Sequence, residues 1–262
     1  MGQIALSELL NIAMDAAYVG GRRALAYFNT RLDVERKRDD TPVTQADREA
    51  ETVIRQMIAA RYPTHSIIGE EHGRTHGTEE YRWIIDPIDG TKSFICGVPM
   101  WGVLIGVEVR GVASVGVVYL PATDEMIAAT RGGGCMWNGR PCRVSSVATL
   151  AEATMTTTSL MSCIARSDAF ENLARQVRIV RGWGDCYGHV LVATGRADIM
   201  LDYGANPWDV APLLPILAEA GGHFTTWAGE PTIWGPDGVS TNAALHEQVI
   251  AILKNEKRRG SV

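Results

Sequence analysis

The chain has 262 residues, 46% of them hydrophobic and 21% charged, with a formal net charge of -5. This balance belongs to a folded chain with a large core and excludes a disordered one. The acidic charge argues against a nucleic-acid-binding face, which needs clustered Lys and Arg, and no apolar run is long enough to span a bilayer.

The start of the chain has no basic segment leading into a long apolar one, so no signal peptide is expected. Met1-Gly2 is not followed by the Ser or Thr of a myristoylation signal, since Leu6 stands there. The five cysteines, Cys96, Cys135, Cys142, Cys163 and Cys186, include no Cys-x-x-Cys pair. They fit free thiols in a reducing cytoplasm. Lys257-Arg258-Arg259 reads as a solvated tail.

Residues 6–28 carry apolar side chains at helical spacing, and Gly20-Gly21 within them marks either a weak point or a close helix contact. A charged stretch, 35–40, follows. Thr44 is placed to cap a second helix with Asp47 three residues on, and Pro63 ends it. Taken alone, Asp47 is a first-turn acid favoured by the helix dipole. Residues 66–69 read as a short strand ending in Glu70-Glu71. His72 and His76 have the spacing of helical metal ligands, but Gly73 and Gly77 turn this stretch into a loop with solvated imidazoles.

The same grammar, an apolar strand ending in acids, returns at Trp83-Ile84-Ile85-Asp86. Pro87 lacks an N–H and is expected to stop the ladder, leaving Asp86 and Asp89 at the strand's mouth. Gly90 permits a sharp bend, and residues 91–94 can open a helix. If the strands ending in Glu70 and Asp86 are neighbours, their carboxylates meet. Acids brought together and buried repel one another. A divalent cation relieves that conflict, and the free amides of the helix start suit a phosphate. The chemistry implied is metal-assisted cleavage of a phosphate ester.

Residues 101–109, 112–119 and 126–130 alternate as an antiparallel meander. Gly132-Gly133-Gly134 lacks the Lys-Ser/Thr of a P-loop and reads as a turn. From 147–158 onward strands and helices alternate, which divides the chain into an N-terminal α+β half, 1–146, and a C-terminal α/β half, 147–262. In the second half, 169–177 is helical and Arg181-Gly182-Trp183-Gly184-Asp185 turns into a helix ending at Ala193. A strand over 198–201 leaves Asp202 just past its end. Trp208-Asp209 opens a helix over 210–220, closed by Gly221-Gly222. Residues 225–227 and 238–241 are strand ends, and 243–256 is a terminal helix.

Glu70, Asp86, Asp89 and Asp209 are hard oxygen donors at element ends, suited to Mg²⁺. Two such ions about 3.5–4 Å apart can clamp the attacking and leaving oxygens of a phosphoryl transfer. No Gly-x-Ser-x-Gly is present for a serine hydrolase. Phosphatases that form an aspartyl-phosphate use Asp-x-Asp-Gly-Thr. Here the spacing is Asp86-x-x-Asp89, with Pro87 inside it, which argues against that chemistry.

These residues resemble the inositol-monophosphatase superfamily of Mg²⁺-dependent, lithium-sensitive phosphatases. The marks are Asp39 to Asp47, Gly69-Glu70-Glu71, the run from Trp83 to Thr91, and Trp208-Asp209-Val210-Ala211 with Glu219-Ala220-Gly221-Gly222. The likeness covers nearly the whole chain. It implies an α+β / α/β fold, the layered αβαβα sandwich, usually as a homodimer. By motif it implies one metal on Glu70, Asp86 and the Ile88 carbonyl, and a second on Asp86, Asp89 and Asp209. Glu70 with waters would hold a third ion. The Gly90 and Thr91 amides would bind phosphate, with Asp89 and Asp209 beside it. Thr91, supported by Asp47, and Glu70 would activate water.

Within that superfamily the chain is most similar to the histidinol-phosphate phosphatase branch, through Gly90-Thr91-Lys92-Ser93-Phe94, Gly97-Val98-Pro99-Met100-Trp101 and Arg181 to Asp185. Inositol-directed relatives usually carry a small residue where Asp185 stands. An acid there suits a substrate bearing an ammonium or imidazolium, and Asp202 matches a substrate-contacting position. Cys96 departs from the Arg common in that branch. The expected activity is hydrolysis of L-histidinol phosphate by a cytoplasmic enzyme with two or three Mg²⁺ ions and no nucleic-acid or membrane partner. The alternatives are an inositol or broad sugar-phosphate phosphatase and a non-catalytic scaffold. A nucleotide bisphosphate phosphatase would need a basic pocket that the sequence does not show.

Overall fold

The strand that carries the two central acids is apolar on both of its faces, so it can only sit inside a layered structure. The structure, a computed structural model, describes residues 4–37 and 40–254. Met1-Gly2, Asp39, the end of the expected terminal helix and the basic run at 257–259 lie outside the described residues.

Thr78–Asp89 is near the middle of an eight-stranded sheet. It pairs parallel with His65–Gly69 and antiparallel with Gly102–Val109. The meander continues through Val112–Leu120, Glu125–Thr130 and Gly134–Trp137 to a short edge, Arg140–Pro141. At the other edge lies Gly73–Thr75, so the stretch expected as a loop between His72 and His76 forms a short hairpin strand. Both histidines are exposed, as expected.

Alternation sends the two neighbouring isoleucines of the central strand to opposite layers. Ile85 faces the helices Leu6–Leu25 and Gln45–Arg61, packing with Leu9, Ile54 and Ile58. Gly20 lets these helices close, since a side chain there would collide with Ile54. Ile84 faces the other way, toward Val190 and Val192 of helix Asp185–Ala193 and toward Leu213 and Ile216. Beyond that layer lies a five-stranded sheet in the order Ile179–Arg181, Thr154–Thr157, Ile199–Tyr203, Asp237–Asn242, Gly222–Thr225. Its outer face is covered by helices Leu160–Arg166, Asp168–Gln176 and His246–Lys254. The result is the αβαβα sandwich.

Four expectations about element ends need correction. Pro87 does not end its strand, which runs on to Asp89. The register shifts between Asp86, paired with Leu104, and Asp89, paired with Gly102. The irregularity absorbs the missing N–H, as bulges commonly do next to active sites. Asp202 lies inside strand Ile199–Tyr203, paired with Gly238, and not past its end. Asp209 does not open one long helix. It sits in the short helix Pro207–Val210, with Asn206 as N-cap, and a separate helix spans Leu213–Glu219. Pro212 falls at the break, where Gly106 and Gly116 are paired across the sheet. Side chains on those glycines would strike Ala211 and Pro212, so the pair lets this backbone lie directly on the sheet. Finally, strand Ile179–Arg181 precedes the glycine-rich turn and takes in its Arg181.

Candidate active site

Five segments deliver carboxylates to one cleft of about 400 Å³. Parallel pairing of Gly69 with Ile85 puts Glu70 beside Asp86. The irregular register brings Asp89 to the same mouth. The short helix bears Asp209, tied down because Asn206 N–H donates to its Oδ2 at 2.7 Å. Asp185 begins the helix Asp185–Ala193, and Asp202 comes from the adjacent strand. Glu70, Asp86, Asp89, Asp185, Asp202 and Asp209 all line the cleft, together with Ile88, Gly90 and Thr91.

Asp86, Asp89 and Asp209 each offer a carboxylate oxygen within 4.8 Å of the other two. Asp86 is only 2% exposed, and Ile88 N–H donates to its Oδ1 at 2.9 Å. Burial, then the charges of Glu70, Asp89 and Asp209, push its pKa well above the usual carboxylate range. Burial does the same to Asp89, with Asp185 and Asp209 adding; a hydrogen bond from Cys186 N–H works the other way. Asp209 is pushed up to about 7 by burial, with Glu70 and Asp202 contributing and its Asn206 bonds opposing. Three acids held this close without compensating cations among the described side chains fit a divalent metal. The donor set is all hard oxygen.

Glu70 lies at the rim of this group. Its Oε1 accepts from Lys37 Nζ at 2.7 Å, and the same ammonium reaches Glu71 at 2.6 Å. Burial works against the Lys37 charge, but the two glutamates outweigh it and hold its pKa above the ordinary lysine value. Burial lifts Glu71 to about 7, against the pull of Lys37. Lys37 escapes the sequence reading because nothing in the charged stretch 35–40 singles out one member.

Gly90 takes φ +85° and caps helix Thr91–Ile95, which turns the chain into the cleft. Thr91 Oγ1 donates to the Ile88 carbonyl at 3.1 Å. Asp47 is 1% exposed and completes a capping box, accepting from Thr44 N–H at 2.8 Å and Thr44 Oγ1 at 2.6 Å. Burial raises its pKa to about 6, with Glu70 adding to the rise. Asp47 thus lies close enough to feel Glu70, while its bonds go to its own helix start.

Asp185 has φ +51°, uncommon for a residue with a side chain, and its N–H donates to Thr158 Oγ1 at 2.8 Å. Its Oδ2 comes within 3.2 Å of where a side chain on Gly90 would begin. Burial and Asp202 raise its pKa to about 6, against Lys92. Lys92, part of the Gly90 to Phe94 run, also lines the cleft, as do Thr158, Tyr203 and Asn206, which carry no sequence signal that marks them. Cys96 is exposed in a separate groove beside Asn29 and Gly97. No described helix is long and apolar enough to cross a membrane.

A sequence profile of the Inositol monophosphatase family matches residues 5–258. A histidinol-phosphatase of Chlorobaculum parvum is 44% identical over 253 residues, covering 95% of this chain and 98% of that protein. One from Mycobacterium tuberculosis is 39% identical over 229 residues, covering 85% and 88%. An inositol monophosphatase structure from Anabaena superposes with a TM-score of 0.85 at 31% identity, covering 97% of this chain and 98% of that one.

Proposed function

The chain belongs to the inositol monophosphatase family, and on that premise we propose that it hydrolyses L-histidinol phosphate to L-histidinol and phosphate. It is a phosphoric monoester hydrolase. The observation that carries the substrate is the placement of Asp185 and Asp202. Both acids face the cleft, and Asp185 stands against Gly90, where a phosphate would sit. A cationic leaving group is favoured there and a neutral polyol is not. The names of the two histidinol-phosphatase relatives support the same substrate.

In this reading Glu70, Asp86, Asp89, Asp209 and the Ile88 carbonyl hold two or three Mg²⁺ ions. When bound, divalent ions polarise the phosphoryl oxygens and make water a better nucleophile. The amides of Gly90 and Thr91 bind two phosphate oxygens and orient phosphorus for in-line attack. Glu70, with Thr91 placed by the Ile88 carbonyl, accepts the proton of the attacking water, while Asp47, bonded to Thr44, acts through its charge near Glu70. The new O–P bond forms as the ester O–P bond breaks; the departing alkoxide takes up a proton from solvent water, to which Glu70 returns the one it accepted. Asp185 and Asp202 hold the amino and imidazole end. The two halves, 1–146 and 147–262, build the site jointly, in a cytoplasmic homodimer.

Phosphate release from a panel of monoesters with Mg²⁺ tests this. Histidinol phosphate is expected to give the highest kcat/KM. A preference for inositol 1-phosphate or sugar phosphates would replace the substrate assignment, and no release from any ester would favour the scaffold.

A further inference from the structure

His189 lies one helical turn beyond Asp185 and is 1% exposed, and the chemistry above does not use it. Its Nδ1 is 2.7 Å from Ser240 Oγ, itself fully buried on strand Asp237–Asn242. The ring of Phe224 packs edge-on against the imidazole, with centroids 5.9 Å apart. Nε2 is buried with no hydrogen-bond partner among the described residues. Buried ring nitrogens are rarely left so, and an orphan asks for an explanation. The charged atom facing it is Asp202 Oδ2, at 4.0 Å.

The Ser240 hydroxyl can donate or accept, so it does not by itself choose the tautomer. An anion in front of Nε2 does choose it: the proton belongs on Nε2, and Ser240 donates to Nδ1. The resulting N–H points at Asp202. At 4.0 Å this is longer than a hydrogen bond. The terminal torsion of an aspartate is soft, however, and a small turn of the carboxylate closes the gap. The other oxygen, Oδ1, already accepts from Tyr203 N–H at 2.9 Å. Asp202 would then be held from behind on both oxygens, with its remaining lone pairs toward the cleft.

We propose that His189 is a positioning residue for substrate selection: its Nε2–H fixes the Asp202 carboxylate as an oriented anion for the cationic end of the substrate. This rests on the histidinol-phosphate reading, which assigns Asp202 to that end.

The test uses Mg²⁺-loaded full-length enzyme with His189→Phe, which keeps an aromatic ring but no donor, and His189→Gln, which keeps a donor. Both are assayed on histidinol phosphate and on p-nitrophenyl phosphate, whose leaving group carries no cation. His189→Phe is expected to raise KM for histidinol phosphate about tenfold, with kcat and the p-nitrophenyl reaction changed less than about twofold. His189→Gln recovers most of that KM. Parallel losses on both esters, an unchanged KM, or equal impairment in the two variants would overturn the proposal. Nitrogen-15 NMR of the wild-type imidazole gives a second readout that survives misfolding of either variant. It should show the Nε2–H tautomer, with a resonance shift on Asp202→Asn, and an Nδ1–H tautomer would refute the role. If wild-type enzyme does not turn over histidinol phosphate, the substrate reading fails, and the NMR result alone decides whether His189 orients Asp202.

Discussion

Two sets of buried aspartates in this molecule solve the same problem differently. Asp198 and Asp237, 5% and 3% exposed, stand at strand starts of the five-stranded sheet, just before Ile199 and at the head of Asp237–Asn242. Asp198 accepts from the Ser145 hydroxyl and from Thr154 N–H at 2.7 Å. Asp237 accepts from Trp227 N–H at 2.8 Å and from Arg166 at 2.6 Å. Each oxygen has a donor supplied by the fold, so these acids are joints between segments. Asp86, Asp89 and Asp209 face one another, and among the described residues each has a donor on one oxygen only: Ile88 N–H on Asp86, Cys186 N–H on Asp89 and Asn206 on Asp209. The first set is complete in the polypeptide. In the proposed reading a cation completes the second, and that difference separates structural acids from those of the cleft.

Substitutions in the two sets should therefore fail in opposite ways. Asp86→Asn has the largest expected effect: kcat/KM with Mg²⁺ falls on the order of a thousandfold, several kcal/mol of transition-state stabilisation. The fold survives, because the change relieves repulsion. A variant that does not fold would place Asp86 with the joints. Asp237→Ala reverses the pattern. It strands the Arg166 guanidinium and the Trp227 N–H, and urea unfolding should show a loss of about 3 kcal/mol. An unchanged midpoint would remove the distinction.

Asp185→Asn should have a smaller and more selective effect. KM for histidinol phosphate is expected to rise roughly tenfold, about 1.4 kcal/mol, and KM for inositol 1-phosphate much less. Equal increases on the two esters would take Asp185 out of substrate selection.

What could be read from the sequence follows the same division. Glu70 and Asp86 were legible because two apolar runs end in acids, and parallel pairing of Gly69 with Ile85 joins those ends. The capping box of Thr44 and Asp47 was legible because it is local. Asp209 was legible as a hard donor at a helix start, and the family likeness added its partners; its place in the cleft comes from the long-range fit of Ala211-Pro212 onto Gly106 and Gly116. The break at Pro212 is masked because Trp208 to Ala220 keeps an apolar, helix-like pattern across it. Pro87 misleads because a missing N–H says nothing about whether an irregular register will absorb it. Lys37 and His189 were invisible for one reason: their partners, Glu70 and Ser240, lie 33 and 51 residues away.

The most direct test of the central claim is thermal unfolding of cation-free protein at pH 5 and pH 8, with and without Mg²⁺. In the cation-free fold the pKa values of Asp86 and Asp89 are raised, and that of Asp209 reaches about 7. Between the unfolded value of about 3.9 and those raised values, the folded state binds more protons than the unfolded one, so stability falls as pH rises. The midpoint should be lower at pH 8 than at pH 5, and Mg²⁺ should raise it most at pH 8. In Asp86→Asn both differences should shrink. A wild-type midpoint at pH 8 that Mg²⁺ leaves unmoved, and that Asp86→Asn leaves equally unmoved, would contradict a cleft completed by cations.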